Sequence, residues 1–433
     1  MSAPPRRPFR RVYIANPRRP PMQRLEPVRA PVNSQAGAAA AAQTPYADRD
    51  FLQAVGNQNL TVEPTDILGL RLLNDKATEA MLGKTKVCEV DVLSEEIKYK
   101  SLDGTELKMT KFYLDPVWSW GNKPWDEARQ NMIDEEKEKE EKEKKEKEAQ
   151  KDKEKDGSEK KQDGEGEGEK KEPIDNEMYR EWQRAVREIR HERAPKPALV
   201  YLHGGGFISG SVELFRKDII RYVNMTSMTI YAPEYRLAPE HKFPKPLEDA
   251  FAAAQWIREN AGAENIDPER IGLLGVSAGG ALALGVAMMW QDKGIEPPIG
   301  RVCAVYPMLN HQSTAVGNSK RAKFINIWTE KGVKMAWDAY LPRTAGQREK
   351  DLPYADPFMR EDLSGFPPTY IDVGGLDLFA KDVAAFVARL AEANVKVEFH
   401  CYPGVPHAFD YAAPDAIVSR EAIQHRREWL RQL

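Results

Sequence analysis

Three residue types spaced along the C-terminal half of this sequence have the makings of a nucleophilic site. The pentapeptide GVSAG, Gly275 to Gly279, sets Ser277 between the β-like run RIGLLGV and the helix-like GGALALGVAMMW. G-x-S-x-G in that context is a turn so sharp that the serine takes strained backbone angles and exposes its hydroxyl. Taken alone, the pentapeptide fits a small-residue helix start packed on a strand equally well. A serine hydroxyl is a weak nucleophile without a base, so the reading requires a histidine and an acid further along the chain.

The sequence holds seven histidines. His425 lies about 200° around its helix from Ile423 and is expected to face water. His400 sits inside a β-like run, where packing is its ordinary role. His407 follows that run in YPGVPHAF, a loop marked by Pro and Gly at the carboxyl edge where Ser277 is expected, and is the candidate base. For the acid, YIDVGGLDLFAKD offers Asp372 within a strand, Asp382 within the next helix, and Asp377 in the loop between them. Asp377 is the candidate; only the serine and histidine lift it above a turn or N-cap residue.

The stretch LVYLHGGGFISGS, residues 199 to 211, places three glycines directly after a strand-forming run. Such a run is costly in chain entropy unless open backbone is needed. Acyl transfer supplies the need, because negative charge builds on a carbonyl oxygen and preorganised N–H donors must hold it. In that arrangement one amide is that of Ala278, after the nucleophile, and others come from the H-G-G-G loop. A flexible loop or a phosphate cradle is the alternative, but neither G-K-[ST] nor GxGxxG is present. His203 is expected to brace the loop.

These residues need a scaffold, and the sequence from about residue 86 provides one. VCEVDVL, EEIKYKS and ELKMTKFYL, with a turn at Asp103-Gly104, predict an antiparallel start. From PALVYLH onward strands and helices alternate to the final helix IVSREAIQHRREWL. That alternation means an α/β fold with a mostly parallel sheet flanked by helices. Residues 46–85 and 310–352 fall outside the alternation and are expected to form a cap. The run IGLLGVSAGGALALGVAMMW, residues 271–290, has the length of a membrane span but reads as a strand and a buried helix.

Two stretches have no means of building a core. Residues 1–45 carry eight arginines, many prolines and one acid, Glu26, and are expected to be a disordered tail. Residues 134–172 hold no aliphatic side chain larger than Ala and form a charged low-complexity insertion in the 86–433 domain. A net charge of −3 gives no sign of a nucleic-acid partner. Cys88, Cys303 and Cys401 have neither metal-like spacing nor the numbers of a disulfide framework, so a cytoplasmic home is expected. The Arg-rich start leaves a mitochondrial address as the alternative, which its prolines weigh against.

With these residues in place, the chain resembles the hormone-sensitive-lipase-like branch of the α/β-hydrolase fold over roughly residues 86–115 and 195–433. The resemblance is carried by HGGGF (203–207), YRLAPEHKFPKPLEDA (235–250), GVSAGG (275–280), GGLDLFAKD (374–382) and GVPHAF (404–409). It implies Ser277 as nucleophile, Asp377 and His407 as its partners, and the amides of Gly205, Gly206 and Ala278 as the oxyanion hole. It also implies a helical cap from the N-terminal segment and the region after Tyr306. Val276 stands where the family often has Asp, and Ala408 where it often has Gly, which bears on substrate preference and loop geometry.

The expectation is a serine hydrolase acting on small-molecule carboxylic esters, a chemistry that needs no metal or organic cofactor. Amide or lactone cleavage on the same build stays open. So does a ligand-binding or scaffolding protein without turnover, with the charged insertion contacting a protein partner; the retained His407 weighs against it.

Overall fold

The computed structural model describes residues 48–55, 66–89, 91–115, 194–313, 328–342 and 348–433. The tail at 1–45, the charged insertion and the helix-like YREWQRAVREIRHER lie outside them. Helices α1 (Arg49–Val55) and α2 (Ile67–Leu82) come first, then the hairpin β1 (Val92–Lys100) and β2 (Glu106–Leu114). The alternating part follows as β3 (Lys196–Leu202), α3 (Arg216–Thr226), β4 (Thr229–Pro233), α4 (Lys245–Glu259), α5 (Ala261–Glu264), β5 (Ile266–Val276), α6 (Ala278–Asp292) and β6 (Arg301–Val305). After α7 (Glu330–Tyr340) and α8 (Arg348–Ala355) the chain closes with β7 (Thr369–Gly374), α9 (Ala380–Glu392), β8 (Val397–Tyr402), α10 (Phe409–Ala412) and α11 (Ile417–Leu430).

The strands form one sheet of eight in the order β1-β2-β4-β3-β5-β6-β7-β8. The β1–β2 and β2–β4 pairs are antiparallel and every later pair is parallel. Burial follows position: β3 from Ala198 to Leu202 and all of β7 are buried, as strands covered on both faces must be. Helix α6 is buried almost all round, with α4 and α8 packed against it. Helices α3 and α11 pack on each other in a second group. The uncharged run 271–290 thus divides between β5 and α6, and no helix among the described residues is long and apolar enough to cross a membrane.

One predicted strand is corrected. VCEVDVL does not enter the sheet as a unit; Val92 N–H donates to the Glu89 carbonyl at 3.1 Å, and that turn delays the strand until Val92. The YRLAPEHKFPKPLEDA segment proves to be a brace. Arg236 donates Nε and Nη2 to the two oxygens of the buried Asp249 at 2.8 and 2.6 Å, and Nη1 to Asp103 in the β1–β2 turn at 3.0 Å. Such forked guanidinium–carboxylate pairing fixes orientation as well as distance, here tying the hairpin to α4.

Because β2 runs against β4 while β3 runs with it, Asp115 and Ala194 both sit at the amino edge of the parallel strands. Those are the points where the described chain leaves after β2 and returns before β3. Ser277, His407 and Asp377 follow β5, β8 and β7 and lie at the opposite, carboxyl edge.

Candidate active site

Ser277 occupies the one-residue turn between β5 and α6, with φ 57° and ψ −118°. This left-handed angle costs a non-glycine residue about 1–3 kcal/mol and persists only where the surroundings over-determine it. They do so here: Ser277 N–H donates to the Val305 carbonyl at 2.9 Å, and its own carbonyl accepts from Gly280 and Met308 at 2.9 and 3.0 Å. The flanking glycines follow from close approach. A Cβ on Gly275 would stand 2.0 Å from the Gly279 carbonyl oxygen, and one on Gly279 would stand 2.0 Å from that of Leu202.

His407 and Asp377 reach the serine from the neighbouring loops after β8 and β7. Those strands run in parallel register to Gly374 opposite Tyr402, and Leu376 N–H donates to the Val405 carbonyl at 2.9 Å, so the two loops meet. His407 Nδ1 lies 2.7 Å from Asp377 Oδ2, and Nε2 lies 2.9 Å from Ser277 Oγ. With its proton on Nδ1, the imidazole donates to the carboxylate and accepts from the hydroxyl. Asp377 is fully buried and also accepts from Phe379 N–H at 2.9 Å. The His407 ring stands between the rings of Tyr306 and Phe379, at centroid distances of 4.7 and 5.1 Å.

The competing candidates lie elsewhere. Asp372, in β7, pairs with Arg426, and Asp382, in α9, accepts from Asn310 at 2.8 Å and from Ser313. His400 packs in a stack with Tyr402 and His425. His425 corrects the expectation that it faces water: it is half-buried, its Nδ1 is 2.8 Å from the Tyr402 hydroxyl, and its ring lies 4.2 Å from that of His400. Helical angle alone missed it because β8 supplies aromatic partners for that side of α11.

His203 braces the glycine loop, as expected. Its Nδ1 is 2.7 Å from the Gly204 carbonyl oxygen, and its ring stacks on Tyr235 at 4.2 Å. Burial pushes this imidazole down to about 4, the Gly204 contact opposing only in part, so it is neutral near pH 7. Beyond it, Gly205 and Gly206 take φ of +122° and +62°. Among the described residues, the amides of Gly205, Gly206 and Ala278 donate to no protein acceptor. Phe207 leaves the loop to stack on Tyr340 of α7 at 3.9 Å. Above Ser277 is a cleft of about 30 Å³, walled by Thr78 and Met81 of α2 together with Trp328, Phe215 and Tyr411.

Two features escaped the sequence reading. Under the His407 loop, wholly buried Arg426 joins Asp410 and Asp372, and Asp410 accepts from the Tyr306 hydroxyl at 3.0 Å. In α2, buried Asn74 reaches the glycine loop. Each carries the same faint signal, a polar residue within a buried helical stripe: Ala422, Arg426 and Trp429 in one case, Leu70, Asn74 and Thr78 in the other. Among the described residues, no group of three or more His, Cys, Asp or Glu is placed to hold a metal.

A mostly parallel eight-stranded sheet with a serine on its sharpest strand-to-helix turn is the architecture of an α/β hydrolase. Residues 199–411 match the family described as alpha/beta hydrolase fold. The chain belongs to that family, in its hormone-sensitive-lipase-like branch. It is 32% identical over 220 residues to Esterase LipI of Mycobacterium tuberculosis, covering 50% of this chain and 67% of that one. It is 31% identical over 224 residues to an arylesterase of Saccharolobus solfataricus, covering 50% and 70%. A solved bacterial heroin esterase superposes with a TM-score of 0.64 at 24% identity, over 90% of this chain and 98% of that one. An esterase from the archaeon Pyrobaculum calidifontis does so with a TM-score of 0.61 at 22% identity, over 88% and 96%. Both likenesses speak to the fold.

Proposed function

We propose that the chain is a carboxylic ester hydrolase that works through an acyl-enzyme on Ser277. The observation that carries this reading is the continuous relay from Asp377 through His407 to Ser277, with contacts of 2.7 and 2.9 Å. His407 Nε2 takes the hydroxyl proton as Ser277 Oγ attacks the ester carbonyl. Asp377 holds the ring in the tautomer that accepts at Nε2 and stabilises the imidazolium that forms. The carbonyl oxygen, now an oxyanion, is received by the amides of Gly205, Gly206 and Ala278. Collapse expels the alcohol, which takes the proton from His407. Water then adds to the acyl group by the same path, and the acid leaves as Ser277 regains its proton.

The family and the relatives called esterase and arylesterase support an ester substrate. The deciding experiment joins fluorophosphonate labelling to turnover of p-nitrophenyl acetate. Wild type should label and turn over; Ser277→Ala should do neither, with kcat down about 10⁶-fold, as for nucleophile loss in a serine protease. Retention of more than a few per cent of activity by the purified variant moves the nucleophile elsewhere.

A further inference from the structure

We propose that Ser209 and Asn74 are positioning residues that aim and strengthen the Gly206 amide, making the helix α2 part of the oxyanion-binding apparatus. The proposal rests on the reading of that amide given above. It begins with one carbonyl oxygen. Gly205 O accepts from Ile208 N–H and Ser209 N–H, each at 3.1 Å, and from the Ser209 hydroxyl at 2.8 Å. Three donors converge on a single acceptor.

The Gly205 carbonyl and the Gly206 N–H belong to the same peptide group, which is planar and trans, so they point in opposite directions. Fixing the oxygen therefore fixes where the N–H aims. Donors on the oxygen also draw electron density from the nitrogen, and linked hydrogen bonds strengthen one another in a low-dielectric interior. The loop is folded back tightly to allow this: a Cβ on Gly205 would stand 2.1 Å from the Ser209 carbonyl oxygen and 2.9 Å from Ser209 Oγ. Trp328 lies against Gly206, where an added Cβ would meet the indole at 2.4 Å.

The chain of bonds continues into α2. Ser209 is fully buried, and its Oγ accepts from Asn74 Nδ2 at 2.5 Å while donating to Gly205 O. Asn74 thus sets the direction of the hydroxyl proton. Its neighbours hold the same segment: Arg71 Nε donates to the Ile208 carbonyl at 2.5 Å, and Asp75 Oδ1 accepts from Gly210 N–H at 2.8 Å. One stretch of α2 grips residues 208, 209 and 210 in turn. A purely mechanical tie needs only the outer two contacts; the middle one runs on to the peptide of the proposed oxyanion donor.

The test compares full-length Ser209→Ala, Ser209→Thr, Asn74→Ala and Ser209→Ala/Asn74→Ala with wild type. The readouts are kcat and KM on p-nitrophenyl acetate, affinity for phenylboronic acid as a tetrahedral adduct of the serine, and the unfolding midpoint. Losing a whole oxyanion donor costs about 10²–10³ in kcat, so weakening one should cost roughly 10-fold. Ser209→Ala should lose that much kcat with KM within about twofold, and phenylboronic acid should bind weaker by a matching factor. Asn74→Ala should lose several-fold, and the double variant no more than Ser209→Ala, because Asn74 acts through Ser209. Ser209→Thr, which keeps the hydroxyl, should recover most of the loss. If Ser209→Ala lowers the unfolding midpoint but leaves kcat and boronate affinity unchanged, or if the two losses simply multiply, the proposal falls. Should Ser209→Ala not fold, an Asn74→Ala variant with unchanged kcat and boronate affinity overturns it equally. A wild type that resists fluorophosphonate would instead sink the Ser277 reading, so the two failures are separable.

Discussion

Arg426, on the last helix, donates Nη1 to Asp410 at 2.6 Å, and Asp410 lies three residues beyond His407. The same guanidinium donates Nε to Asp372 at 2.6 Å, and all three side chains are fully buried. Burial alone would push the Asp410 carboxyl up; Arg426 and Arg221 outweigh it and hold the group below the ordinary carboxylate range. For Asp372 the balance tips the other way, burial raising it beyond what Arg426 offsets. Arg426→Met removes the cation that the two buried carboxyls share and leaves Asp410 with Arg221 at 3.4 Å, so it should cost about 3–5 kcal/mol of stability. Urea unfolding of the variant measures it, and a loss under 1 kcal/mol would contradict the picture.

The choice of acid can be tested at three aspartates. Asp377→Asn keeps the shape but loses the charge and the tautomer control, and kcat should fall roughly 10⁴-fold, as in the serine-protease case. Asp372→Asn and Asp382→Asn disturb contacts to Arg426 and to Asn310, and should act mainly on stability. Rate measurements on all three purified variants decide the matter; an active Asp377→Asn would overturn the assignment.

The turn at Ser277 should tolerate no added bulk beside it. Gly279→Ala would bring a methyl within 2.0 Å of the Leu202 carbonyl oxygen, a contact only backbone movement can relieve. Turnover should fall at least 10²-fold, since an ångström of misplacement near a reacting group has about that effect. Equal activity of Gly279→Ala and wild type would mean the turn is softer than its contacts indicate.

A pH effect on stability is expected from His203. Its imidazole is pushed down to about 4 in the fold, against about 6.5 in an unfolded chain. Between those values the unfolded state binds the extra proton, so stability falls as pH drops from 6.5 towards 4 and is level above 6.5 with respect to this group. The full difference amounts to about 3 kcal/mol. Urea midpoints of wild type and His203→Gln across that window should diverge, the variant having the flatter profile. Parallel profiles would remove His203 as the cause.

Much of this was legible in advance because it depends on local pattern. Central strands such as PALVYL are continuous apolar runs, and helices such as IVSREAIQHRREWL carry their own period, so elements from β3 onward fall close to the predicted bounds. Ser277, His407 and Asp377 each follow a strand, and a parallel sheet gathers such loops at one edge. Contacts between distant side chains left little trace. Asn74 meets Ser209 across 135 positions and Arg426 meets Asp372 across 54; the sequence shows only a polar residue where an apolar one would fit. The late start of β1 at Val92 was missed for a similar reason, since the turn at Glu89 is a backbone hydrogen bond with no Gly or Pro to mark it.

The antiparallel placement of β2 carries a consequence for how this chain could have grown. Asp115 and Ala194 open onto the amino edge of the sheet, and Ser277 stands a strand length away at the other edge. At about 3.3 Å per residue, the seven residues of β3 span roughly 20–25 Å of hydrogen-bonded backbone. Length added between β2 and β3 therefore leaves and rejoins the described fold at the edge opposite Ser277. The two points of attachment thus stand apart from the loops that carry the proposed relay, each of which follows the carboxyl end of a strand.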